Sequence, residues 1–206
     1  MDARRKKGEE TRQMILEKAT ELFLNEGYST TSIDKVAEVA GVTKPTVYSH
    51  FESKTGLFKA AVEANAQQRA GKLKQLLEVT NNPEEDLCRF GEHFLAVVLS
   101  QEAGCWDRVA QAEAFRHPEV GKMFYEAGPK RVLAAVAGYL EQQTANGRLS
   151  VESPSDAADL LMGMFLGVDL LRTRIGVQAP SQTQIKKKCR AAVQVFLSAF
   201  QSEDRQ

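Results

Sequence analysis

The sequence predicts an all-α protein of about nine helices, a small N-terminal three-helix unit followed by a larger helical domain. Three observations carry this. No stretch alternates apolar and polar residues for long, and every extended segment spaces its apolar residues by three and four. Gly, Pro, Ser and Thr stand where such segments begin and end. The 206 residues are 43% apolar and 26% charged, enough to build one large core or two smaller ones without disulfides or metals.

The first helix is expected from about Glu10 to Asn25, with Ile15, Ala19, Leu22 and Phe23 on one face and Gly27 as its stop. Before it, Arg4 to Lys7 read "RRKK", within a basic tail of residues 1–9 that is either solvated or an arm adding phosphate contacts. Thr31 or Ser32 caps a second helix, and Thr31 with Asp34 has the spacing of a reciprocal capping box. Val36, Ala37 and Ala40 form its apolar face. After Gly41, Thr43 opens a third helix with Pro45 in its first turn, where a missing N–H costs nothing. Val47 and Phe51 face inward and leave Lys44, Thr46, Tyr48, Ser49 and His50 mostly outside. Two short helices joined by a tight glycine-containing turn form a helix-turn-helix unit. Ser53 caps a fourth helix near Lys54, anchored by Leu57 and Phe58, which runs to about Val79.

Further helices are expected over about Glu84–Ser100, Trp106–Phe115, from Pro118 to "AGPK", Pro129–Asn146, Ser155–Ile175 and Gln182–Gln201. The domains fall at 1–58 and 59–206.

Composition narrows the function. Cys88, Cys105 and Cys189 form no CxxC pair, and no charged-then-apolar leader precedes the first helix, so a reduced, cytoplasmic protein is expected. The most apolar run, Leu160 to Leu171, is short of the roughly 20 residues a span needs and is interrupted by Gly163, Gly167 and Asp169; no membrane partner is expected. Net charge is zero, which dilutes but does not exclude a local basic surface. No paired Glu-x-x-His, phosphate loop, nucleophile elbow or metal-ligand cluster occurs: Glu92 adjoins His93, and Glu113 lies four before His117. No enzyme activity, cofactor or metal is expected.

The run "AGVTKPTVYSHFESKTGLF", Ala40 to Phe58, resembles the tetracycline-repressor (TetR/AcrR) family of bacterial transcriptional regulators, and the match extends from about Thr11. The segments "AEAFRHPEVGKMFYEAGP" and "GRLSVESPSDAADLLMGMFLG" look similar to its AefR-like subgroup. The resemblance implies a DNA-binding head and a C-terminal ligand-binding and dimerisation domain. Its third helix would enter the major groove, with Lys44, Pro45, Thr46 and Ser49 nearest the bases. Tyr48, His50, Thr31 or Ser32, Thr43 and Lys54 would approach phosphates. The physics agrees, because helix N-termini offer free amides to anions and hydroxyl or ammonium groups complete the contact. Tyr48 could instead pack on the first helix, and His50 could be an ordinary surface residue.

Palindromic double-stranded DNA is read by dimers, so a homodimer surface is expected in the C-terminal half. Gly163 and Gly167 each cost roughly 1 kcal/mol in a helix interior, which a close backbone approach, between subunits or within one, would offset. Leu170, Val193, Phe196 and Phe200 complete the expected interface. For a small hydrophobic or aromatic effector the candidates are Trp106, Phe115, Phe124, Met162 and Phe165, with His93, Arg108, Glu113 and Asp169 as polar groups; Arg108 and Glu113 could equally form an internal ion pair. The function expected is a repressor released by that effector, with an architectural or adaptor protein lacking a small ligand as the alternative.

Overall fold

The computed structural model describes residues 3–77 and 79–200. The Gln201 end expected for the last helix lies outside the described residues. Within them run ten helices: α1 Ala3–Glu26, α2 Ile33–Val39, α3 Lys44–Phe51, α4 Lys54–Leu76, α5 Pro83–Val98, α6 Gln101–Ala114, α7 Pro118–Ala127, α8 Pro129–Ala145, α9 Pro154–Arg174 and α10 Gln182–Phe200. The all-α class is as the sequence predicts, with ten helices among the described residues where about nine were expected.

Local chemistry explains the boundaries. Asn82 caps α5 by accepting from the Glu85 N–H at 3.2 Å, with Pro83 in the first turn. Ser181 and Gln184 exchange side-chain-to-backbone bonds of 3.3 and 2.8 Å, a reciprocal capping box at the start of α10. α1 is longer than expected. The residues from Ala3 onward are helical, so the basic segment is the opening of α1 rather than a separate tail. Arg and Lys are good helix formers, which offsets the roughly 1 kcal/mol cost of Gly8.

The chain divides into two compact units, one of residues 1–67 with 105–127 and the other of 68–104 with 128–206. This differs from a cut after residue 58, because Trp106, Val109, Val120 and Ala127 of α6 and α7 share a core with Ile15, Phe23, Val36, Val47, Phe51 and Phe58. Phe58 sits edge-on to Phe23 with centroids 5.0 Å apart and lies 6.2 Å from Trp106. Such aromatic pairs add roughly 0.5–1.5 kcal/mol beyond burial.

In the second unit α8 packs on α9, and α10 packs on α5 and α9. Phe90, Leu140, Leu161, Phe165, Val193 and Phe196 are wholly buried there. Beside this core is a polar cluster that the sequence pattern does not reveal. The Asp86 carboxylate, fully buried, accepts from the Thr80 hydroxyl at 2.9 Å, the Thr80 N–H at 3.1 Å, the Tyr139 hydroxyl at 2.9 Å and Arg89 at 3.1 Å. Gln143 extends it by donating to the Tyr139 oxygen at 2.9 Å. A buried carboxylate is tolerated because its lone pairs are filled. Burial, with the Asp86 bond and charge, pushes the Tyr139 phenol well above its ordinary value, so Tyr139 stays a donor.

One helix is broken. At Gly167 in α9 the backbone leaves helical geometry at φ 44°, ψ −144°, a region where only glycine is comfortable. Lys188 of α10 clamps the break, donating to the Leu166 carbonyl at 2.9 Å and to Asp169 at 2.8 Å. Gly167 is therefore explained by backbone shape, where a close helix approach was expected. Gly163 has open space beyond its Cα, so no described helix packs there.

Candidate nucleic-acid interface

The head is built around the turn between α2 and α3. Ser32, in extended conformation, accepts from the Lys35 N–H at 3.2 Å and is the α2 cap. Thr31 turns inward, 1% exposed, and donates its hydroxyl to the Gly27 carbonyl at 2.8 Å. The capping box expected of Thr31 and Asp34 is thus not formed, and the Thr31 hydroxyl is withdrawn from any surface contact. Gly41 takes φ 63°, which ends α2 and lets the Val42 N–H reach the Ala37 carbonyl at 2.9 Å.

Thr43 then caps α3. Its oxygen accepts from the Thr46 N–H at 3.4 Å and shares a 2.8 Å bond with the Thr46 hydroxyl. Pro45 stands in the first turn, and Val47 and Phe51 are buried as expected. Lys44, Pro45, Tyr48 and Ser49 are exposed, with Thr46 and His50 half-buried. Tyr48 is 42% exposed. The result is a short helix with one apolar face inside and one polar face outside, its start capped by Thr43. That arrangement fits a phosphate-lined groove.

Two of the candidate DNA-contacting lysines are engaged within the head. Lys44 donates to Asp34 at 2.9 Å, and that hydrogen bond and charge hold its pKa above the ordinary value. Both side chains are exposed, so the pair is weak and salt-sensitive. Lys54 donates to the Ser29 carbonyl at 3.0 Å and stands 4.5 Å from the Tyr28 ring centre. Burial lowers its pKa, and the Glu113 charge partly offsets this. Ser53 caps α4, accepting from the Gly56 N–H at 2.9 Å. Sequence reasoning missed Tyr28 and Ser29 and expected Asp34 in a capping box, where it pairs with Lys44 instead; these roles depend on contacts beyond one turn of helix.

Comparison with known proteins settles the family. Residues 85–202, more than half of the chain, match the AefR-like transcriptional repressor C-terminal domain, and residues 15–61 match the tetR family of bacterial regulatory proteins. The chain belongs to the TetR family. TetR-family proteins are DNA-binding transcriptional regulators, not enzymes. This chain is similar to the regulator AcrR of Shigella flexneri, 28% identical over 203 residues that span 95% of this chain and 92% of AcrR. The transcriptional activator FasR of Mycolicibacterium smegmatis is 30% identical over 96 residues, 47% of this chain and 44% of FasR. The solved structure of the flavonoid-responsive regulator FrrA superposes with a TM-score of 0.83 at 28% identity, covering 96% of this chain and 99% of FrrA.

In this TetR-family regulator the candidate effector residues divide between the two units. Trp106, Arg108, Glu113, Phe115 and Phe124 belong to the first, and His93, Met162, Phe165 and Asp169 to the second. Phe115 is 94% exposed and lines no core. The Arg108–Glu113 ion pair is replaced by other bonds: Arg108 donates to the Cys105 sulfur at 3.1 Å, and Glu113 accepts from Ser29. Asp169 is taken by Lys188 and Arg172. Phe124 packs against the first core, Met162 and Phe165 lie in the second, and His93 lines a groove of about 280 Å³ with Leu76, Arg89, Glu92, Ile185 and Lys186. Trp106 is buried, and its indole N–H has no hydrogen-bond partner among the described residues.

The expected dimer residues also separate. Val193 and Phe196 are inside the second unit, so they are core rather than interface. Leu170 and Phe200 are half-buried against that core. Exposed apolar residues of the second unit are instead Leu160, Met164, Val168 and Leu171 of α9, Ile175 and Val177 just beyond it, and Val195 on α10. No described helix is long and apolar enough to cross a membrane.

Proposed function

We propose that the protein is a homodimeric repressor that binds a palindromic operator through α3 and is released by a small hydrophobic or aromatic effector. The observation that carries the DNA-reading part is the outward polar face of α3, whose N-terminus is capped by Thr43. Lys44, Pro45, Thr46 and Ser49 lie nearest the bases, where Lys44 donates to guanine and the Thr46 methyl meets thymine. Ser32, Thr43, Tyr48, His50 and Lys54 contact phosphates, as does the start of α1, and all of this takes place on DNA in the bacterial cytoplasm.

Dimerisation is supported by the apolar strip on α9. Leu160, Met164, Val168 and Leu171 lie on exposed helix with open space at Gly163, a surface that a second copy would cover. The effector is supported by the unpaired buried indole of Trp106, because a buried donor left without a partner is costly and a ligand acceptor would fill it. The flavonoid response of FrrA makes polyphenols the first effector class to try.

The test is selection of bound duplexes from a random pool, followed by titration of the enriched site with polyphenols. A two-fold symmetric motif whose complex dissociates on titration supports the whole reading. A symmetric motif indifferent to every small molecule removes the effector and favours an architectural or adaptor role, and no enriched motif removes operator reading.

A further inference from the structure

Ser29, in the turn between α1 and α2, has its polar groups engaged by two other helices. Its N–H donates to Oε1 of Glu113 at 2.9 Å, from 84 positions away, and its hydroxyl donates to Oε2 of the same carboxylate. Its carbonyl accepts from Lys54 at the start of α4. Around this node the Tyr28 hydroxyl shares a 2.9 Å bond with Thr55, and the His117 ring meets the Tyr28 ring edge-on at 5.3 Å.

Glu113 is 8% exposed, and burying a carboxylate is costly unless it is bonded. Burial pushes its carboxyl up, but the two bonds from Ser29, with His117 and Lys54 nearby, outweigh this and hold it below the ordinary value. An apolar side chain at 113 would avoid the desolvation cost. It would also leave the Ser29 N–H and hydroxyl without partners and the turn free to rotate. Three residues after Ser29 stands Ser32, the cap of α2, and Lys54 is held on the Ser29 carbonyl itself. The direction in which both phosphate-facing groups point is therefore set from the end of α6.

We propose that Glu113 is a positioning residue for DNA reading: its carboxylate fixes the α1–α2 turn through Ser29 and so holds Ser32 and Lys54 in register with the phosphates. This rests on the operator-binding function proposed above. It also gives α6 a direct hold on the reading head through a turn.

The test uses the full chain and the duplex it selects from a random pool. Operator affinity by fluorescence anisotropy, its salt dependence, and exchange of the Ser29 amide are compared for wild type, Glu113→Gln, Glu113→Ala, Ser29→Ala and the Glu113→Ala/Ser29→Ala pair. Glu113→Ala is expected to weaken operator binding about tenfold, to lower the salt slope by about one phosphate contact and to speed Ser29 exchange. Ser29→Ala costs about threefold, and combining the two adds nothing, as members of one network behave. Glu113→Gln keeps the shape, guards against a variant that does not fold, and loses about threefold with the charge. Faster Ser29 exchange with wild-type affinity and slope in both Glu113 variants overturns the proposal alone. Wild-type protein that selects no duplex overturns operator reading, and this proposal with it.

Discussion

In α3 the apolar residues Val47 and Phe51 are buried and Lys44, Tyr48 and Ser49 face water, whereas α9 buries Ala158, Leu161 and Phe165 and still exposes Leu160, Met164, Val168 and Leu171. The first helix is satisfied within one chain, and what it leaves exposed is chemistry. The second carries more apolar surface than its own core uses. Exposed polar groups on a capped, rigid helix suit a ligand as hydrated as DNA, and an uncovered apolar strip suits another protein surface.

Five substitutions sharpen or break that contrast. Leu171→Glu should have the largest effect, turning the protein monomeric in sedimentation and weakening operator binding about a thousandfold, because one half-site holds little of the specific affinity. An unchanged dimer would mean that α9 is not the partner surface. Asp86→Ala should lower stability in urea by about 3 kcal/mol or more, since Tyr139, Thr80 and Arg89 lose a shared buried acceptor. Lys44→Ala should relax sequence preference at one base pair by about tenfold, with Lys54→Ala weakening all sequences alike; equal effects from the two would blur the division between base and phosphate contacts. Asp34→Asn should be smallest, about a twofold gain in DNA affinity as the exposed pair with Lys44 is released.

Acid adds a check on the Glu113 node. Its folded pKa is depressed below the ordinary 4.5, so its stabilisation is present at neutral pH and lost as pH falls below 4.5 through the folded value. The melting-temperature gap between wild type and Glu113→Gln should close over that range, and a gap independent of pH would contradict the assignment.

The helices and most of their ends were legible because the signals are local. Thr43, Ser53 and Pro83 act within one turn of where they stand, and the inward spacing of Val47 and Phe51 follows from helix geometry. Thr31 and Ser32 offer the same hydroxyl at adjacent positions, and the bond from Thr31 back to Gly27 decides between them only once the turn exists. On α10 the apolar stripe is broad, so pattern alone does not say that Val193 and Phe196 point inward and Val195 outward. Glu113 reads in sequence as a partner for Arg108 or a ligand; that it serves Ser29 depends on a contact spanning 84 positions.

The interrupted make-up of the first unit has a consequence for synthesis. Chains emerge N-terminus first, and domains tend to close as they are completed. Here the reading head recruits residues 105–127, so a nascent chain that has delivered only residues 1–67 lacks the Trp106 ring beside Phe58, the Val109 share of the core and the carboxylate that holds Ser29. The reading surface gains its geometry only after much of the following unit has begun to emerge. A gene fragment ending after α4 should accordingly yield a soft, protease-sensitive head, and one ending after Ala127 carries every residue that the first unit's core requires.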